Sequence, residues 1–396
     1  MNQIGELEWL IIGGGVHGTH LSHVLVNGLD IPPDRVVVLD PHDEPMWRWN
    51  HCTSNTSMSH LRSPAVHHIG LEPMELLHYA RAEGESKGSG FRPPYDRPSL
   101  ALFHAHCQQV FESGGLYELR SRGRACHICK ERDLFCVDSD QGAIKARRII
   151  VATGMGERRR WPEWALKLRA DGAPTWHIFD DEFHRSMLDD FHRVAIVGLG
   201  ISGAQLATHL AQRGDREVHV VARHDVRVEQ FDSDPCWLGP KCQVSFRRRR
   251  CLKKRREIID EARHGGTMPI DVARPLLQME QWSRLQLHKG GCESAVIGES
   301  EEIQLALKQG QQLTVDAVVL ATGFEKPRPD QSWLASTIDE LGLKCARCGF
   351  PIVDEHLQWA PNFFVSGSLA ELELGPAARN IAGARMTARR IRKALG

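Results

Sequence analysis

Two stretches of the chain repeat one pattern of apolar runs, glycine turns and helical spacing. The first opens with Trp9-Leu10-Ile11-Ile12 and passes through Gly13-Gly14-Gly15-Val16-His17-Gly18. Helical spacing follows from Thr19 to about Asn27, and a second apolar run, Val36–Leu39, closes on Asp40. The second stretch opens with Val194–Val197 and passes through Gly198-Leu199-Gly200-Ile201-Ser202-Gly203. It continues with a helical segment at Ala204–Gln212 and the run Val218–Val221. Each predicts strand, turn, helix and strand within about thirty residues, the βαβ unit of a dinucleotide-binding fold.

Glycine is required in such a turn for three separate reasons. The first residue (Gly13, Gly198) makes the tight turn, and the second (Gly15, Gly200) lets backbone approach a pyrophosphate. The third (Gly18, Gly203) lets the helix pack on the strand, whose N-terminus then faces the phosphate charge. One such turn is weak evidence, but two copies, each set between a strand and a helix, are not coincidental punctuation. Two more apolar runs, Ile149–Thr153 and Val318–Thr322, stop at Gly154 and Gly323, and each is expected to close a dinucleotide unit or mark a crossing between units.

The ends of the second strands separate the two sites. Asp40 offers a carboxylate to ribose hydroxyls, whereas the second unit ends in Arg223, with Arg227 nearby. A cation there suits a 2′-phosphate, so the second unit reads as an NADPH site.

Composition narrows the class. The chain has 396 residues, enough for two or three domains of ~100–200 residues. Lysine plus arginine and aspartate plus glutamate both number 50, so the overall charge argues neither for nucleic acid nor for an acidic membrane. No apolar run reaches the ~18 residues of a membrane helix, and the N-terminus lacks a secretory pattern. Eleven cysteines without framework spacing read as free thiols in a reducing, cytoplasmic setting.

With these features the chain resembles the flavin monooxygenases, and within them the N-hydroxylating branch that contains the lysine and ornithine hydroxylases. The closer match lies in Trp47-Arg48-Trp49-Asn50-His51 with Met58-Ser59-His60-Leu61, in Phe91–Pro98, and in the C-terminal Asn362–Gly367 and Gly375–Arg385. The resemblance implies an α/β fold of two Rossmann-like domains, with an NADPH domain (161–322) inserted into a split FAD domain (1–160 and 323–396). It implies that Trp49, Met58, Gly367 and Asn380 join the FAD site, with the last helix aimed at the flavin pyrimidine. It further implies oxygenation of nitrogen or sulfur in a small amine or thioether, with dioxygen, through a flavin C4a-hydroperoxide. The protein then supplies orientation and a dry site, and His51 and His177 are the candidates for tuning protons. Of the long monooxygenase fingerprint only His177 and its aromatic neighbours are present, so a reductase or dehydrogenase without oxygenation, or a non-catalytic flavin and NADPH sensor, are the alternatives.

Cys52 has no cysteine close enough in sequence to form the redox pair of a disulfide reductase. The pairs Cys126/Cys129 and Cys345/Cys348 have zinc-like spacing, but they lie far apart in the chain and no metal site is assigned. Eight of the ten residues from Arg247 to Arg256 are basic. The expected reading is a solvated helix in an insertion, with an acidic partner as the functional alternative; the aromatic platforms of nucleic-acid readout are absent. The segment 231–240, rich in Pro, Gly and Trp, reads as an ordered loop over the flavin or a plain surface loop.

Overall fold

The computed structural model describes residues 7–84, 90–154, 158–308, 310–325 and 332–396. The strand Leu7–Ile12 pairs in parallel with Val36–Asp40 on one side and Gly142–Val151 on the other. Phe363–Val365 joins the far side of Gly142–Val151, again in parallel, so the last strand returns the chain to the sheet with which it began. The hairpin Ala125–Glu131 and Leu134–Ser139 adds to the same sheet antiparallel.

Between these strands lies a second, wholly parallel sheet. Its order is Gln286–Lys289, Glu217–Ala222, Arg193–Val197, Ala317–Leu320 and Thr175–His177. A three-stranded antiparallel sheet (Cys292–Ile297, Ile303–Leu307, Gln312–Val315) packs against it. The fold is therefore α/β with two Rossmann-like sheets, the second inserted into the first.

Central strands are apolar at nearly every position because both of their faces are covered. Trp9 and Ile11 enter the core under the helices Val16–Gly28 and Ile381–Leu395. Leu10 and Ile12 enter the opposite core with Trp359 and Phe363. That alternation is the period of two expected of a strand.

The basic stretch departs from expectation. It is not one helix: Pro240–Arg248 and Leu252–Ala262 are separated by extended backbone at Arg249 and Cys251. Nor is it wholly solvated. Arg255 donates to Glu373 at 2.6 Å, and Arg256 pairs with Glu371, whose side chain is fully buried. Arg379 (2.6 Å) and Arg263 (3.8 Å) complete the cage around Glu371. Arg247 to Arg250, Lys253 and Lys254 remain exposed. The run is thus partly a set of counterions for a buried carboxylate.

Candidate functional site

Both glycine turns obey the same steric rule. A Cβ on Gly13 would stand 2.6 Å from the Ala152 carbonyl oxygen, and one on Gly198 would stand 2.4 Å from that of Ala321. The runs ending at Gly154 and Gly323 are therefore the walls against which the two turns are folded. A Cβ on Gly18 would meet the Gly13 carbonyl, and one on Gly203 that of Gly198, so each helix sits directly on its turn. A Cβ on Gly15, in contrast, would meet nothing within 4 Å. Gly15 and Gly200 are the N-caps of Val16–Gly28 and Ile201–Arg213, and neither helix has a capping side chain or an acidic residue in its first turn. Both therefore present bare N–H groups and a positive dipole end, the preconditions for holding phosphate.

A cavity of about 350 Å³ opens at the first turn, at the carboxyl ends of the first sheet's strands. Gly13, Gly15, His17, Asp40, Trp49, Cys52, Thr153 and Gly154 line it, and Arg48, Asp181 and Phe324 bring in the link to the second sheet. The Asp40 carboxylate accepts from the backbone N–H of Gly14 (2.6 Å) and of His42 (3.0 Å). Its remaining lone pairs can take hydroxyls. Two buried polar atoms of this wall, the Thr153 hydroxyl and the Trp49 indole N–H, have no partner among the described residues. Buried polar groups are seldom left unsatisfied, so a wall with two of them fits a ligand that supplies the missing partners. Together with the open space at Gly15, the donor set fits FAD.

His17, within the first turn, was not singled out by the motif, which leaves its position free. Its Nε2 faces the Asn380 carbonyl at 3.0 Å and so must donate, which leaves Nδ1 to accept from the Ser366 hydroxyl at 2.8 Å. Burial lowers its pKa to about 4, which keeps the ring neutral. His17 thereby ties the first turn to the N-cap of the last helix. The Asn380 amide donates to Asp232 at 3.2 Å, and Gly367, at a φ of +65°, lies against the His17 ring.

The other expected residues are placed differently. Met58 packs against the apolar core and is not part of the cavity wall. Of the two histidines, His177 has both ring nitrogens engaged, whereas His51 is bonded through Nε2 alone. His51 Nε2 donates to the Asp180 carbonyl at 2.8 Å, and the Asn55 amide beside it donates to the Phe183 carbonyl at 2.7 Å. His177 is fully buried, with Nε2 on the Gly323 carbonyl (3.2 Å) and Nδ1 accepting from the Phe179 N–H (3.2 Å). Burial, with Arg159 nearby, pushes its pKa down to about 3. Both histidines brace the crossing between the two sheets, where Arg159 pairs with Asp180 (3.2 Å) and Asp181 (3.0 Å) and Arg48 pairs with Asp181.

Arg223 and Arg227 are exposed beyond the strand Glu217–Ala222 and form no ion pair among the described residues. Gly200 faces Gly266 across the second turn, with its absent Cβ 3.8 Å from that α-carbon. Residues 231–240 do form an ordered loop, and its anchor is a covalent bond that the reading of free thiols missed: Cys236 and Cys242 form a disulfide. Trp237 packs on Gly375, and the Gln243 amide donates to the carbonyls of Trp237 and Leu374, both at 2.8 Å. The loop is thus pinned to the turn before the last helix. The two Cys-x-x-Cys pairs do not meet: among the described residues no metal-type cluster contains both.

Residues 7–235 match the family model of the pyridine nucleotide-disulphide oxidoreductases, and the chain belongs to that family. At 17% identity it is similar in structure to the ornithine hydroxylase of Pseudomonas aeruginosa, with a TM-score of 0.76 and 98% of each chain covered. It is also similar, at 15% identity and a TM-score of 0.74, to an FAD-bound cadaverine monooxygenase of Erwinia amylovora, over 98% of this chain and 94% of that one. The bacillithiol disulfide reductase of Bacillus cereus matches at 17% identity and a TM-score of 0.60, over 98% of each chain. No curated protein sequence matches. Oxygenating and reducing enzymes thus share this fold, and the choice between them falls to the site. Among the described residues no helix is long and apolar enough to cross a membrane.

Proposed function

We propose that the protein is an NADPH-dependent FAD monooxygenase acting on nitrogen or sulfur of a small amine or thioether. FAD would be held by Gly13, Gly15, Gly18, Asp40, Trp49 and Gly154, with Gly367 and Asn380 at the flavin end. NADPH would lie on Gly198, Gly200, Gly203 and Arg223, with Gly323 at the crossing, and the insertion would run from 161 to 322. Bound there, FAD would supply hydride acceptance from the nicotinamide and electron transfer to dioxygen. The chain's own part is to hold, orient and keep dry.

The observation that carries the reading is the state of sulfur at the cavity. Cys52 is the single cysteine in that wall among the described residues, and burial raises its pKa to about 11. A thiol–disulfide enzyme needs a thiolate and a partner at the flavin, and neither is present there. The helix Ile381–Leu395 supports flavin reduction: its N-cap, Asn380, carries no capping side-chain bond, so its dipole can meet charge gathering on the ring.

The test is anaerobic reduction of the purified protein with NADPH, followed by mixing with oxygen and a panel of amines and thioethers. The reading expects a transient spectrum distinct from oxidised and reduced flavin, and an oxygenated product in proportion to NADPH consumed. Reoxidation without a transient and without product would make the protein a reductase or dehydrogenase.

A further inference from the structure

The hairpin Ala125–Glu131 and Leu134–Ser139 holds a group of residues that flavin chemistry does not use. Along its first strand His127, Cys129 and Glu131 share one face, while Ile128 between them points into the core and is fully buried. Directly across the ladder, Cys136 pairs with Cys129. The edge of this strand is covered by the helix Ser332–Glu340: the Ile128 N–H donates to the Thr337 hydroxyl at 3.2 Å. That docking brings the last helical residue, Glu340, to 2.8 Å from His127 Nε2.

The ligand atoms of His127, Cys129 and Glu340 all lie within 4.8 Å of one another, and so do those of Cys129, Glu131 and Cys136. Cys129 belongs to both triads. Glu131 is already engaged by Lys145 at 2.6 Å, which leaves His127, Cys129, Cys136 and Glu340 as the usable set. A tetrahedral zinc ion with bonds of ~2.0–2.3 Å sets its donors about 3.3–3.8 Å apart; the two triads share only Cys129, so Cys136 must turn toward His127 and Glu340 to complete one site. Two sulfurs and an imidazole select a soft, zinc-class cation over magnesium or calcium.

We propose that His127, Cys129, Cys136 and Glu340 form a divalent-cation site of zinc type. The ion joins two strands of the first sheet to the first helix described after the chain returns from the second sheet. It is therefore a structural clip at the crossing back, independent of the flavin cavity. Sequence spacing suggested other partners for Cys129, but Cys126 is exposed and its Sγ turns back to the Arg124 carbonyl at 3.3 Å. Binding requires both thiols to give up their protons, so affinity falls as pH is lowered.

The test uses the full-length protein, freed of metal by chelation, with Co²⁺ as the spectroscopic probe and Zn²⁺ as competitor. One equivalent should produce thiolate-to-cobalt charge transfer in the difference spectrum, and Zn²⁺ should abolish it and raise Tm. Cys129→Ser and Cys136→Ser should each weaken Zn²⁺ binding by at least tenfold, since even an outer partner of a metal ligand is commonly worth ~10–100-fold. His127→Gln, at a partly exposed position, gives a variant whose folding is not at issue and should weaken binding likewise. Cys126→Ser should bind as the parent does, and FAD content should be the same in all of them. Absence of the charge-transfer band, or its survival in both Cys129→Ser and Cys136→Ser, would overturn the site.

Discussion

The α-carbon of Gly13 faces the carbonyl of Ala152 so closely that a Cβ would stand 2.6 Å from its oxygen, at a φ of +106°. The turn and the neighbouring strand end are therefore one steric unit, and Gly15 at its far side is open. Gly13→Val should abolish FAD retention because backbone, and not a flexible side chain, would have to move. Gly15→Ala should leave the fold intact and weaken FAD by projecting a methyl into the cavity. Flavin absorbance per mole of purified protein checks both, and a yellow Gly13→Val protein would disprove the placement.

Removing the buried carboxylate at the centre of the arginine cage should be among the costliest substitutions in the chain. Glu371→Gln leaves Arg256, Arg263 and Arg379 without their shared buried anion, although Arg256 keeps Asp260 (3.5 Å) and Arg263 keeps Asp232 (3.9 Å) at the rim. Losing one partner of a buried pair is worth about 3–5 kcal/mol. Burial works against the charged form of Glu371, but Arg379, Arg256 and Arg263 outweigh it and the pKa is lowered. This contribution is present above the unfolded value of ~4.3 and is lost as pH falls through the lower folded value. Urea denaturation of the variant at neutral pH measures the loss; a change below about 1 kcal/mol would show that the cage is not structural.

Acid should weaken the protein well before its carboxylates titrate. His20, His68 and His177 are almost fully buried, and burial lowers the pKa of each to about 3. The unfolded chain titrates near ~6.5, so below that pH it binds more protons than the folded chain and stability falls. The slope approaches ~1.4 kcal/mol per pH unit for each histidine, or about 4 for the three together. Denaturation midpoints between pH 7.5 and 5 should fall accordingly; a flat profile would mean that these rings are solvated.

Arg223→Ala should raise the requirement for NADPH by roughly 10–100-fold, the worth of a charge-assisted hydrogen bond to phosphate, and leave NADH unaffected. Initial rates of flavin reduction with each nucleotide decide it. An unchanged preference would move phosphate recognition to another residue, with Arg227 next to be tested.

Cys236→Ser with Cys242→Ser should release the loop whose Trp237 packs on Gly375. Flavin reduction and NADPH affinity should change while FAD content stays constant, because the loop reaches the turn before the last helix and not the first glycine turn. Limited proteolysis within 231–242 should become faster in the variant; equal rates would show that packing alone holds the loop.

Much of this architecture is local and could be read from the chain. The two βαβ units declare themselves because every constraint falls within about thirty residues: apolar runs buried on both faces, then a turn that only glycine can make. The pairing of each turn with an Ala-Thr-Gly strand end is also consistent with that reading, since Gly13 meets Ala152 and Gly198 meets Ala321. The site was less legible. His177 and Met58 have suitable chemistry and position in sequence, but a ring bonded through both nitrogens, or a thioether packed on the core, looks the same in a sequence as a free one.

The sequence by itself determined that there are two dinucleotide folds, where each turn lies, and which strand end carries Asp40 and which Arg223. Those features follow from backbone sterics and strand period, which act between near neighbours. Only the tertiary structure decided that Arg255 and Arg256 serve Glu373 and Glu371, that Cys236 joins Cys242, and that Cys129 faces Cys136 and lies beside Glu340. Apart from the disulfide and the Cys129–Cys136 pair, which are short-range, these contacts join segments far apart in the chain. Charge and thiol chemistry have no sequence period, and their partners are set by which surfaces the packed sheets press together.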